Sequence, residues 1–486
     1  MDSSQYKLLC KACDEAINKD KNFYRVSIPK LHVMKEHPVL LKQYQTLFEN
    51  VFGNASVQLK KSSEKSGLFQ KILNILSFNS SQKLDLPYCK NFDTIIISHL
   101  VNADHLNNND FYFYDIPSYL NHKINPLVVL INHTNKDSEV LSKKLDNSKV
   151  FKVILPKKLN FSGEAKIILG LIKELILIRI SSYREKGLLR QVLKFSSKPS
   201  GFSGALFALR LGKQVNTILN SFKPKAVITT YEGHSWERVI YGVVYQYDPD
   251  LLRIGYQHSV ITKMAHSIAR PLGKKYDPDL ILCSGTITHA LLQKALEKSH
   301  TELLVLGSSK SLSQLKVKNR KKDKICLVIP EGVVEECDML FNFSIMCANV
   351  LPDINFIWRL HPVISFEKVL AYMSIKAEDL PNNIIISNLS LSEDISRSSF
   401  ALYRGTTAII EAIYGNLIPI YLSDDSDLTI DFLHSVGKDR KIVSSVKEFK
   451  GVIEDDTPWD SNNIINYCEN YFMAFDYSIF QKIINR

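Results

Sequence analysis

Glu232 follows a short β-branched run, residues 226–230, and opens the string Tyr231-Glu232-Gly233-His234. Its carboxylate therefore falls at the carboxyl end of a strand, beside a glycine that lets the chain turn. A carboxylate so placed can take a proton from a hydroxyl, and Glu232 is the candidate general base. The next apolar run, 253–256, ends in Gln257-His258, a second polar strand end. Tyr231, Gly233, His234, Gln257 and His258 are expected around the group that gives up its proton. The competing role for His258 is a hydrogen-bonded core histidine, and for His234, Glu237 and Arg238 capping or pairing on the following helix.

A second set of candidates lies after residue 324. The run 355–360 carries Arg359 and delivers His361-Pro362, and the run 400–403 delivers Arg404-Gly405-Thr406-Thr407. Thr406 can cap the helix that follows, Gly405 permits close approach to a ligand, and the uncovered N–H groups of the helix start favour an anion. Glu411 lies one turn into that helix, Gly415 closes it, and residues 418–422 start the next strand. Glu331-Gly332 follows the strand-like run 325–329, where a tight turn meets a base or phosphate. His361 can offset charge on a phosphate. A simple His-Pro turn and a plain Thr cap are the competing readings.

The elements that must position these residues alternate between strand-like and helix-like periodicity. Runs at 94–100, 127–131, 150–155, 226–230, 253–256, 280–283 and 303–306 alternate with helical candidates at 164–184 and 204–221. A second series starts at 325–329 and continues through 334–350, 356–360, 366–373, 384–386, 400–403, 418–422 and 442–443. This is the pattern of an α/β chain with two Rossmann-like, doubly wound domains facing a cleft. The expected division is a mainly helical extension over 1–90, one Rossmann-like domain over 91–307, a basic linker over 308–323, a second over 324–465 and a helical tail over 466–486.

Composition narrows the class. The chain has 486 residues, 45% apolar and 23% charged, with a formal net charge of +11. Those values fit a folded chain of two ordinary domains. Lys60-Lys61, Lys157-Lys158, Lys274-Lys275 and the run 316–324 could face an anionic lipid or glycan, or only solvent. Zinc-finger and RNA-recognition signatures are absent, so nucleic acid is not an expected partner. Walker, Gly-x-Gly-x-x-Gly, Gly-x-Ser-x-Gly and zincin motifs are also absent.

Asp248-Pro249-Asp250 and Asp277-Pro278-Asp279 each precede a strand and read as entry turns rather than metal sites. Asp424 to Asp427 reads as a solvated loop, and the lone Cys10-x-x-Cys13 as incidental. The start of the chain shows no secretory pattern, so the expected location is the cytoplasm or the inner face of the cytoplasmic membrane. Residues 167–180, interrupted by Lys173, Glu174 and Arg179, are too short to span a bilayer. A core helix is expected there, with peripheral membrane contact as the alternative.

Across residues 225–425 the chain resembles bacterial surface-carbohydrate glycosyltransferases of the two-Rossmann GT-B architecture, especially those using CMP-activated keto-acid sugars such as nonulosonic acids and Kdo. The resemblance rests on Tyr231-Glu232-Gly233, Gln257-His258, His361-Pro362 and Thr406-Thr407 in that order. It implies transfer of a sugar from a CMP-linked donor to a glycan or lipid-linked glycan of lipopolysaccharide or capsule, with no metal or other cofactor. It also implies Glu232 as base, and His361, Thr406 and Thr407 on the CMP phosphate. Glu331 or Glu411 would meet the base or ribose, and Arg404 the leaving group. Tyr231 stands where that motif has its first acidic residue, so inversion and retention both stay open. UDP-, GDP- or CDP-linked donors, polyol-phosphate transfer and a non-catalytic scaffold share the same outline.

Overall fold

The computed structural model describes residues 1–19, 24–32, 37, 39, 41, 44, 45, 47, 48, 84–87, 91–198, 202–310, 324–361, 364–424 and 428–484. Pro362 and most of the expected linker lie outside them, as does most of residues 49–90.

Among the described residues thirteen strands form two parallel sheets. The first contains β1 (Thr94–Leu100), β2 (Pro126–Asn132), β3 (Phe151–Ile154), β4 (Ala226–Thr230), β5 (Leu252–Tyr256), β6 (Leu280–Cys283) and β7 (Glu302–Val305). Its order is β3-β2-β1-β4-β5-β6-β7. The second contains β8 (Ile325–Ile329), β9 (Asn355–Trp358), β10 (Ile384–Ile386), β11 (Phe400–Tyr403), β12 (Ile418–Leu422) and β13 (Lys441–Val443), in the order β10-β9-β8-β11-β12-β13. Each order starts 3-2-1 and then jumps to 4-5-6, which is the Rossmann arrangement with its switch point between the first and fourth strands. The architecture is a two-domain, Rossmann-like GT-B fold.

The strands are apolar on both faces because helices cover both faces. In β1, Ile95 and Ile97 pack toward helices Phe202–Phe222 and Ser235–Tyr247, while Ile96 and Leu100 pack on the opposite side. The second sheet divides likewise: Leu327, Ile357 and Tyr403 face helices Ala408–Tyr414 and Asn462–Tyr471, and Val328, Trp358 and Leu402 face Val334–Val350.

Among the described residues both terminal segments bridge the halves. Tyr471, in the core of the second domain, accepts the Ile261 N–H at 2.7 Å through its hydroxyl. The chain then crosses to the first domain, where Ile479, Phe480 and Ile483 enter the core. At the other terminus, helix Ser3–Lys19 packs on helix Gly187–Ser196, in a separate apolar cluster that also takes in the inner face of helix Phe161–Ser182 and Leu428 of the second domain.

Candidate functional site

Both switch points carry the candidate residues. In the first domain the tips of β1 and β4 bring His99 and Glu232 together; in the second, the tips of β8 and β11 bring Glu331 and Gly405 together. A cavity of about 170 Å³ lies between the halves and is lined by His37, Glu232, Glu331, Gly405, Ile430 and residues from the segment 259–268, His266 among them.

The turn after β4 is built to present Glu232. Gly233 has φ +79°, and a Cβ there would collide with the Ser267 carbonyl, so the turn needs glycine both for its backbone angle and for space. Glu237, in the first turn of helix Ser235–Tyr247, accepts the His234 N–H at 2.7 Å and the Glu232 N–H at 3.1 Å. Its carboxyl has no exposure, and burial pushes it up to about 7 against the pull of His234. Capping, the competing sequence reading, describes Glu237 as found. Pairing describes Arg238, which is buried against Asp277 and donates to the Ser267 carbonyl at 2.8 Å.

Each oxygen of Glu232 faces an imidazole. His234 Nε2 lies 2.9 Å from Oε2, and His258 Nε2 lies 3.4 Å from Oε1. Behind them, His99 meets His133 at 2.8 Å and Thr230 Oγ1 at 3.2 Å. Burial lowers His258 to about 4 and His99 to about 3, with the Glu232 charge opposing the shift in both. At neutral pH His258 is uncharged, so it orients the carboxylate without quenching it, and His99, also uncharged, lies behind it against His133 and Thr230. His99, His133 and Tyr112, whose ring centroid is 4.5 Å from that of His258, were not among the sequence candidates. The strand-end rule that singled out Glu232 applies equally to Ser98-His99 and Asn132-His133.

Tyr231 and Gln257 do not face the cleft. Tyr231 is buried with the Arg238 guanidinium 5.1 Å above its ring. Gln257 is buried, accepting the Ser284 N–H at 3.0 Å and donating to the Ser259 carbonyl. Both shape the wall behind Glu232.

In the second domain, Arg404 also points inward. Its Nε donates to Glu336 at 2.6 Å, one terminal nitrogen to the Leu422 carbonyl at 2.8 Å and the other to Asp424 at 3.1 Å. It has no exposed surface. Asp424, expected in a solvated loop, is thus an ion-pair partner; residues 425–427 lie outside the described residues. A Cβ on Gly405 would sit 2.8 Å from Glu331 Oε2, so the glycine makes room for that carboxylate. Thr406 Oγ1 accepts the Ala408 N–H at 3.3 Å from one residue ahead of the cap position, which is Thr407 rather than the expected Thr406 and makes no side-chain cap bond; Gly332 follows Glu331 in the turn after β8.

Arg359 donates to the Leu389 carbonyl at 2.5 Å and Asp394 at 2.9 Å. His361 is exposed just beyond β9, lowered by partial burial with Glu331 opposing. Glu411 is raised by desolvation and held down by Arg359 and Lys310. Lys310 is lowered by desolvation and held up by Glu232 and Glu411; its ammonium therefore senses one carboxylate from each domain. In sequence Lys310 reads only as part of the linker over 308–323.

His37, from the N-terminal segment, completes this side. Its Nε2 is 2.5 Å from Glu331 Oε1 and 3.4 Å from Glu336 Oε1. These three groups have donor atoms within 4.8 Å of one another and are the set among the described residues that could hold a metal ion. Arg404 against Glu336 already supplies a positive charge there, which opposes a cation.

No family model matches the chain, and no curated protein matches its sequence. Among solved structures it is similar to UDP-GlcNAc 2-epimerase from Methanocaldococcus jannaschii in complex with UDP-GlcNAc and UDP, at 14% identity and TM-score 0.47, over 81% of this chain and 99% of that one. UDP-GlcNAc 2-epimerase from Neisseria meningitidis gives 11% identity and TM-score 0.47, over 81% and 100%. An alpha,alpha-trehalose 6-phosphate synthase from Burkholderia multivorans gives 6% identity and TM-score 0.44, over 79% and 94%. The fold assignment above rests on the strand orders themselves.

Proposed function

We propose that this protein is a glycosyltransferase that moves a sugar from a nucleotide-linked donor to a hydroxyl of a glycan or lipid-linked glycan. The observation that carries the reading is the pairing of two switch points across one cavity, with the ringed carboxylate Glu232 on one side and Glu331 and Gly405 on the other. The cavity is smaller than the roughly 300 Å³ at which whole-ligand pockets begin. It accommodates the reacting sugar, and the nucleotide extends along the tips of β9 and β11 past His361, Thr406, Thr407 and Glu411.

In the reaction, the Glu232 carboxylate takes the acceptor proton and the freed oxygen bonds to the anomeric carbon. The bond from that carbon to the donor phosphate breaks, and its electron pair leaves with the phosphate. Lys310 and His361 offset the charge that builds there. The order of the motifs in the sequence favours a CMP-linked keto-acid sugar of bacterial lipopolysaccharide or capsule as donor.

A thermal-shift titration with CMP, CDP, UMP, UDP, GDP and ADP tests this. A nucleotide at about a hundredfold over its dissociation constant adds about 2.7 kcal/mol of stability. Stabilisation by CMP above the others supports the keto-acid donor, and stabilisation by UDP or GDP keeps the transferase and replaces the donor. A response to none of them overturns the nucleotide-sugar reading.

A further inference from the structure

Helix Phe161–Ser182 is apolar on two faces, and the fold uses one of them. Ile167, Leu171, Leu175 and Ile178 point inward into the apolar cluster, where the helix packs against helices Gly187–Ser196 and Phe202–Phe222. Leu169, Ile176, Ile180 and Tyr183 point outward, with exposures of 67, 55, 50 and 61%. Their spacing puts them in one stripe about 21 Å long at the rise of an α-helix. An amphipathic helix on a soluble surface carries polar residues in that stripe, and a contiguous exposed apolar strip marks an interaction site.

The charges beside the stripe identify the partner. Lys166, Lys173 and Arg184 flank one side and Arg179 the other, all exposed. The two acids of the helix are turned in and compensated: Glu164 is buried and accepts from Arg210 at 2.6 and 2.8 Å, and Glu174 is buried with Arg25 4.0 Å away. The outward face therefore combines large apolar side chains with bases and no exposed acid. A second copy of the chain is a poor match, because a two-fold contact would set this basic rim against itself. No helix among the described residues is long and apolar enough to cross a membrane. We infer that the outward face of this helix lies in the headgroup region of an anionic phospholipid bilayer, with the apolar stripe inserted and the bases on the lipid phosphates. This docking is independent of the donor proposed above.

Flotation of the full chain with vesicles of phosphatidylcholine alone, or of phosphatidylcholine and phosphatidylglycerol in equal parts, tests it. The protein should float with the phosphatidylglycerol vesicles, stay behind with pure phosphatidylcholine, and be released by high salt. The triple variant Leu169→Ser, Ile176→Ser, Ile180→Ser and the pair Lys173→Glu, Arg184→Glu should each lower partitioning by at least about tenfold. All five side chains are exposed, and unchanged circular dichroism and melting temperature verify that the variants fold. Absence of wild-type binding to either vesicle overturns the proposal, as do equal binding by the triple variant and a wild-type dimer that the triple variant disperses.

Discussion

Arg404 Nε donates to Glu336 Oε2 at 2.6 Å inside the second domain, where neither residue has exposed surface. The guanidinium at the tip of β11 is thus committed to the fold. Removing it leaves Glu336 as a buried carboxylate that has lost its guanidinium and keeps only the His37 imidazole, 3.4 Å from its other oxygen. Arg404→Met should cost about 3–5 kcal/mol in urea unfolding, and adding Glu336→Met should recover a large part of that loss. A purely ligand-binding Arg404 would instead leave stability unchanged and lower nucleotide affinity.

Glu232 sits in the cleft with an imidazole on each oxygen. Glu232→Gln preserves the shape of the turn but cannot take a proton. Turnover should fall by about 10²–10⁴ while nucleotide affinity, read by thermal shift, stays at the wild-type value. Turnover within a few-fold of wild type would remove Glu232 from the reaction.

Glu237 holds that turn from beneath through the N–H groups of Glu232 and His234. Glu237→Ala orphans these donors and should cost about 1–3 kcal/mol for each one left without a partner. Glu237→Gln retains an acceptor oxygen and should lose much less. Activity should follow stability across the pair, since the turn sets the position of Glu232.

The buried imidazoles predict an acid limb of stability. His99 and His258 are lowered to about 3 and about 4 from an ordinary 6.5, so the folded state binds fewer protons than the unfolded chain. Their contribution is complete above pH 6.5 and is lost as pH falls through those folded values. Glu237, raised to about 7, acts in the opposite sense: its contribution is complete below pH 4.5 and lost as pH rises through 7. Between 6.5 and 4.5 the lowered histidines His32, His99, His133, His258, His361 and His434 outnumber the raised glutamates Glu237, Glu336 and Glu411, so the melting temperature should drop with acidification. The variant His99→Gln, His258→Gln should show a flatter acid limb; an unchanged slope would place the titrating groups elsewhere.

Local pattern alone determined the strands, because a run such as Ile95-Ile96-Ile97 is apolar on both faces only where helices cover both. It also placed Glu232, His258, Glu331, His361 and Thr406 at strand ends, where a polar residue directly follows an apolar run. Which strand ends become neighbours depends on strand order. His99, His133 and Glu232 meet only because β1 lies between β2 and β4, and that order is set by crossover connections far longer than any local pattern. The same holds for charge. Arg404 reads as an open cation in sequence, yet its partner Glu336 is 68 residues away, and only packing of helix Val334–Val350 against the sheet brings the acid to it. Lys310 and His37 were illegible for the same reason: each draws its role from carboxylates that the folded chain, and not the neighbouring residues, puts beside it.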